Sequence, residues 1–201
     1  QNIWYSLGIH PHNVDKSFKN IEDILKNYYK DKKFIGIGET GLDYFYENTD
    51  RDLQRQSFIK HIELSRSTGL PIIVHTRDAD KDTISILKNE YSKKPFKGLI
   101  HCFTATQELA NAVLDIGFFI SISGIITFKN ADSLRKVVKA IPKERLLVET
   151  DAPYLSPAPL RGKRNEPSYV LHTANYLANL LNIPQNELYK QTTRNFFNLF
   201  S

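Results

Sequence analysis

Six short apolar runs recur along the chain, separated by segments of a different rhythm, and this alternation constrains the fold more than any other feature. The runs are IWYSLGI, FIGIG, LPIIV, GLIH, GFFISIS and RLLVE. Each is apolar almost throughout rather than on alternate positions, which predicts strands covered on both faces, as in parallel sheets. Between them, apolar residues return at helical spacing. One stripe joins Ile21, Ile24, Leu25 and Tyr28, and a second joins Phe58, Ile59, Ile62 and Ser65. Leu109, Ala112, Val113 and Ile116 make a third, and Leu134, Val137, Val138 and Ile141 a fourth. Pro167 opens a further helix through Leu171, Ala174, Leu177, Ala178 and Leu181, and Pro184 ends it before a last segment closing in FFNLF.

Strands alternating with helices predict an α/β fold with right-handed crossovers. No linker, repeat or low-complexity tract interrupts residues 1–201, so one domain is expected. Two architectures compete, an open doubly wound sheet and a TIM-type (β/α)8 barrel. A doubly wound nucleotide binder carries a glycine-rich turn after its first strand. The only candidate here, GIGETG at Gly36 to Gly41, lacks the usual order and has an acid inside it. A barrel instead gathers chemistry at the C-terminal ends of several strands.

The residues that close the runs follow the barrel pattern. IWYSLGI leads to His10, FIGIG to Glu39, LPIIV to His75, GLI to His101 and RLLVET to Asp151; only GFFISIS leads to serine and glycine. Parallel strands would bring these side chains to a single mouth. Imidazoles with carboxylates suit zinc, manganese or magnesium, the imidazoles favouring the first two. Any one of them alone could be a hydrogen-bonded core histidine, a helix-cap partner or an Asx-turn former. His61 and His172 fall inside helical segments and read as packing or surface residues; His12 could serve either purpose. Cys102 reads as a small buried residue rather than a ligand.

With one cysteine there is no internal disulfide, which points to a reducing, cytoplasmic setting. The longest apolar runs are far short of the roughly 20 residues that cross a bilayer, so no membrane association is expected. A formal charge of +5 would help attract a polyanion, although the lysines are scattered as on solvated helix faces.

The ordered motifs GIHPH, IGETGLDYF, LPIIVHTRDA, IHCFT, LLVETDAPYLSP and RGKRNEP resemble the signatures of TatD-type metal-dependent deoxyribonucleases, within the amidohydrolase superfamily. The likeness runs from about Trp4 to the end of the chain. It implies a divalent-metal site of one or two ions (Mg, Mn or Zn) held by Glu39, His75, His101 and Asp151. It further implies a His-x-His pair on the family's first barrel strand; the HPH here matches a loop motif after a later strand. The expected architecture is therefore an incomplete barrel with about six of eight strands, two strand–helix units being expected ahead of Gln1.

The function expected from the likeness is exonucleolytic hydrolysis of DNA phosphodiester bonds, on single strands or frayed ends, by a monomer. Asp151 would act as general base and Glu39 as a metal-holding catalytic carboxylate. His10, Arg77, Arg161 and Asn165 would position phosphate oxygens, arginine offering a planar fork suited to phosphate. TGLDYFYENTDRD would cover the mouth, where Tyr44, Phe45 and Tyr46 either stack on exposed bases or pack the loop. PAPLRGKRNEP, with Arg161, Lys163 and Arg164, would form a second mouth loop. Alternative readings are an ester or amide hydrolase such as a tRNA-editing deacylase, and an inactive remnant that binds nucleic acid or a partner.

Overall fold

The computed structural model describes residues 3–46 and 48–201; Gln1, Asn2 and Glu47, the last within the expected mouth loop, lie outside them. Six strands, β1 (Tyr5–Leu7), β2 (Phe34–Asp43), β3 (Ile72–Arg77), β4 (Gly98–Ile100), β5 (Phe119–Ile122) and β6 (Leu146–Val148), form one sheet. All neighbours pair in parallel, in the order β1-β2-β3-β4-β5-β6. Strictly sequential order is the wall of a barrel, whereas a doubly wound sheet reverses direction partway. Among the described residues β1 and β6 do not pair, so the wall stays open. It nevertheless curls, because Trp4 and Ser6 at one edge and Leu147 and Val148 at the other line a single groove of about 650 Å³.

The two-residue strand period decides which side chains face the barrel axis. Ile72 and Val74 of β3, Ile100 of β4, Ile120 and Ile122 of β5 and Leu146 of β6 enter the large core shared with the helices. Their alternates, Ile73, Leu99, Phe119 and Leu147, pack together on the inner face with Phe196, Leu199 and Phe200 of the last helix. Two residues further along the same inner ladder stand His75, His101, Ser121 and Glu149. Backbone bonds carry the ladder past the formal strand ends: His101 N–H donates to Val74 O at 2.9 Å and Glu149 N–H to Ile122 O at 3.0 Å. The chemistry thus sits directly above an apolar plug, on rigid strands.

Among the described residues, seven α-helices pack on the wall: α1 (Ile21–Lys26), α2 (Arg51–Thr68), α3 (Asp80–Lys93), α4 (Gln107–Asp115), α5 (Asp132–Lys139), α6 (Val170–Leu180) and α7 (Gln185–Phe200). Asp50 caps α2 by accepting Leu53 N–H, and Thr106 caps α4 by accepting Leu109 N–H. No helix among the described residues is long and apolar enough to cross a membrane.

Three local expectations need correction. The first run is not a fully buried strand: β1 is only half-buried, because it is an edge, and Ile3 and Trp4 are exposed. β2 does not stop at Gly38 but continues to Asp43, so Glu39 lies inside the strand and the mouth loop begins later. The extension requires glycine at Gly41, whose φ of +140° is hostile to other residues and whose added Cβ would sit 2.0 Å from His75 O. GIGETG is therefore a device for close strand approach, which explains its departure from a nucleotide-binding turn. Finally, α3 has no counterpart among the apolar stripes, since its buried face mixes Ile86 and Leu87 with Thr83 and Glu90.

Candidate metal centre

Two groups of side chains stand at the C-terminal face of the wall, each with ligand-capable atoms within 4.8 Å of one another: His10, Glu39 and His75, and His101, Glu149 and Asp151. Glu39 joins them. Its Oε1 lies 3.3 Å from His10 Nε2, and its Oε2 lies 2.9 Å from His101 Nε2. Asp151 Oδ1 approaches the same His101 Nε2 at 3.6 Å. The strand-end residues His10, Glu39, His75, His101 and Asp151 are therefore brought together at one mouth.

The far nitrogens of the imidazoles have separate partners, which fixes what each ring can do. His101 Nδ1 donates to Glu149 Oε2 at 3.1 Å, which leaves Nε2 facing Glu39 and Asp151. His75 Nε2 donates to Asp43 Oδ2 at 3.0 Å, leaving Nδ1 for the first group. His10 differs, because its Nδ1 accepts the backbone N–H of His12 at 3.1 Å. A neutral imidazole that accepts at Nδ1 carries its proton at Nε2. His10 consequently presents an N–H donor to the mouth, His75 can offer a lone pair at Nδ1, and His101 can offer one at Nε2 only where a cation takes the place of its second proton. Glu149 and Asp43 escaped the sequence reading. Glu149 is in strand register with Leu147, two residues before Asp151, and Asp43 ends a strand expected to be shorter.

Charge is unbalanced here. Glu39, Asp43, Glu149 and Asp151 form ion pairs only with histidines among the described residues. Burial pushes the Glu39 carboxyl up, but His101, with His75 and His10, outweighs it and draws the group down to about 2. Burial disfavours charge on His101, yet Glu149 and Glu39 hold its proton up to about 11. In Asp151, burial prevails over His101 and, with Glu149 and Glu39, lifts the carboxyl to about 6. Burial and the neighbouring His75 lower His10 to about 4. Such a carboxylate excess, relieved only by an extra proton on a buried imidazole, is a site that fits a divalent cation.

The remaining expected residues occupy the rim or its supports. Arg77 ends β3 with its guanidinium 3.7 Å from the centre of the Phe45 ring and 5.0 Å from that of Tyr46. Tyr44 packs, donating to Asp82 Oδ2 at 2.6 Å, whereas Phe45 and Tyr46 remain 52% and 45% exposed. Arg161 is exposed, its guanidinium 3.5 Å from the Phe128 ring centre. Asn165 is buried, and its amide donates to Thr150 O and Tyr154 O while its Oδ1 accepts Glu166 N–H. It fastens the loop that carries Asp151 rather than opening toward solvent. His61, fully buried in α2, accepts Ile9 N–H at 3.1 Å and donates to Ser57 O at 2.7 Å, so it is a packing residue that holds the His10 loop. Cys102 Sγ donates to Ser123 Oγ at 3.2 Å.

An open wall of parallel strands whose inner ladder ends in histidines and carboxylates defines the class of metal-dependent hydrolases built on a TIM-type barrel. Comparison with known proteins narrows this. A family model described as "TatD related DNase" matches residues 1–201. The uncharacterized metal-dependent hydrolase YcfH of Escherichia coli K12 is 45% identical over 199 residues, which cover 99% of this chain and 74% of that protein. YabD of Bacillus subtilis, also called an uncharacterized metal-dependent hydrolase, is 42% identical, covering 98% and 77%. Among solved structures, the TatD homologue YjjV of Escherichia coli K12 superposes with a TM-score of 0.88 at 25% identity, covering 98% of this chain and 76% of that one. A TatD-family hydrolase from Entamoeba histolytica does so with a TM-score of 0.84 at 26% identity, covering 98% and 74%. The chain belongs to the TatD family.

Proposed function

We propose that the protein is a divalent-metal-dependent deoxyribonuclease that hydrolyses phosphodiester bonds, with Glu39, His75, His101 and Asp151 holding the metal. The observation that carries this reading is Glu39, the carboxylate of the His10–Glu39–His75 group, which turns its other oxygen to His101 of the second group beneath a rim of arginine and exposed aromatic rings. The description of the matching family model supports the choice of DNA. A divalent ion bound there supplies Lewis-acid polarisation of a phosphoryl oxygen and makes a nearby water more acidic.

The chain's own groups do the rest. Asp151, whose Oδ1 lies 3.6 Å from His101 Nε2 at the mouth, is the carboxylate placed to take a proton from the attacking water. Glu149 holds His101 by Nδ1 and aims its Nε2 into the site, the orientation a carboxylate gives a ligating imidazole. His10, whose Nε2–H faces Glu39 Oε1 at 3.3 Å, would give that donor to a phosphate oxygen once Glu39 holds the metal, and Arg77 and Arg161 contribute positive charge at the rim. Phe45 and Tyr46 offer ring faces to unstacked bases, which favours single strands or frayed ends. Asn165 keeps the Asp151 loop in place.

Metal-free protein, given Mn²⁺ or Mg²⁺ and an end-labelled single-stranded oligonucleotide, is expected to release nucleotides stepwise. Aminoacyl-tRNA and a simple carboxylic ester serve as parallel substrates. Ester cleavage without any metal-dependent release of nucleotide would overturn the nuclease reading in favour of a deacylase.

A further inference from the structure

Asp43 has the most connected side chain at the mouth, although neither its spacing nor its position in the sequence singles it out. It ends β2 with a side chain only 1% exposed. Its Oδ1 accepts the backbone N–H groups of Phe45 and Tyr46 at 3.0 and 3.2 Å. Its Oδ2 accepts His75 Nε2–H at 3.0 Å and lies 2.9 Å from His12 Nε2. Gln54 of α2 clasps the same residue's backbone, accepting Asp43 N–H at 2.8 Å and donating to Asp43 O at 3.1 Å. The Gln54 amide also reaches Thr49 O, and Thr49 Oγ1 donates to His12 O at 3.0 Å. The Asp43 carboxylate therefore ties the strand end to the aromatic rim, His75 and the His10–His12 loop, while its backbone fastens the strand end to α2.

The chemistry of the contact is directional. An ionised carboxylate can only accept, so the His75 nitrogen facing it must carry hydrogen. A neutral imidazole has one such hydrogen, which leaves Nδ1 as the bare nitrogen His75 can offer to the His10–Glu39–His75 group. We propose that Asp43 is a positioning residue that sets the Nε2–H tautomer of His75, aims its Nδ1 at the cation, and locks the Phe45–Tyr46 rim to the same anchor. The proposal rests on the metal reading above, and it deepens that reading by coupling the substrate rim to one ligand.

Asp43→Asn tests it because the amide cannot serve both sides. Its oxygen stays with the two backbone N–H groups, where an amide nitrogen would oppose donor to donor, so its NH₂ must face His75 Nε2. That contact favours the opposite tautomer, with hydrogen on Nδ1. ¹⁵N–¹H correlation spectra of the metal-free protein read the tautomer directly. The expected results are Nε2–H for His75 in the wild type, a switch to Nδ1–H in Asp43→Asn, and a Mn²⁺ affinity roughly 10–100-fold lower in the variant. An unchanged tautomer with unchanged Mn²⁺ affinity in a folded variant would overturn the proposal. So would Nδ1–H in the wild type, a result that does not depend on whether the variant folds. The tautomer readout decides the role of Asp43, and Mn²⁺ titration of the wild type separately decides the metal reading.

Discussion

Asp151 stands apart from the other carboxylates at the mouth because burial, helped by Glu149 and Glu39, lifts it to about 6 against the pull of His101. In the metal-free protein that group can take up a proton near pH 6, whereas Glu39, drawn down to about 2, stays ionised. Asp151→Asn keeps the shape and removes the base. It should lower oligonucleotide hydrolysis at least about 100-fold while leaving the circular dichroism unchanged; near-normal turnover would assign the base elsewhere. A second residue, His61, makes a prediction about stability. Burial lowers it from 6.5 to about 4 in the folded protein. Above pH 6.5 both folded and unfolded forms are neutral and it contributes no pH dependence. As pH falls from 6.5 to 4 the unfolded chain takes up the proton first, so stability is lost over that window. In urea unfolding the wild type should therefore lose more stability over that window than His61→Gln, by on the order of 3 kcal/mol at 1.36 kcal/mol per pH unit.

Among residues, legibility followed strand position. His75, His101 and Asp151 could be found because a polar residue closing an apolar run is conspicuous. Glu149 was hidden by that same logic, since Asp151 two positions later drew the attention that strand register gives to Glu149 as well. Asp43 was hidden by a misjudged strand end. Asn165 was recognisable as belonging to the mouth, but its burial and bonding to Thr150 O and Tyr154 O depend on a loop whose path no periodicity encodes.

At the scale of elements, β2 is the piece on which the site depends, and its Gly41 makes that dependence testable. Gly41→Ala would place Cβ 2.0 Å from His75 O at a φ of +140°. Gly69, the left-handed cap of α2, has a φ of +74° and nothing within 4 Å of an added Cβ, so Gly69→Ala serves as the control. The control should cost about 1 kcal/mol through backbone strain alone. Gly41→Ala should cost well over about 2 kcal/mol and part β2 from β3 beside His75, which urea midpoints and Mn²⁺ affinity would report together. Equal destabilisation by the two substitutions would mean that the close approach at Gly41 is not needed. The other elements were readable to unequal degrees. The stripes of α2, α4 and α5 are apolar enough to reveal a helix. α3 is not, because Arg66 of α2 reaches across to Glu90 at 2.8 Å and so lets the buried face of α3 be partly polar.

For the whole molecule, the repeating strand–helix rhythm announced a parallel α/β wall, and the acids and histidines closing five of its six runs favoured a barrel over the doubly wound form. The sequential strand order then follows from local connections that never skip a neighbour. What the rhythm could not convey is how the inner ladder is filled. The C-terminal helix plugs it with Leu199 and Phe200, beneath the histidines, from the far end of the chain. That plug and the parallel wall serve one end, a rigid mouth in which Glu39 joins the His10–His75 group to His101, the geometry behind the proposed shared holding of a cation. Calorimetric titration of the metal-free protein with Mn²⁺, wild type against Glu39→Gln, tests this most directly. Saturable binding by the wild type that falls at least about 100-fold in a folded Glu39→Gln is the predicted result; equal affinity in the two proteins, or no binding by the wild type, would contradict it.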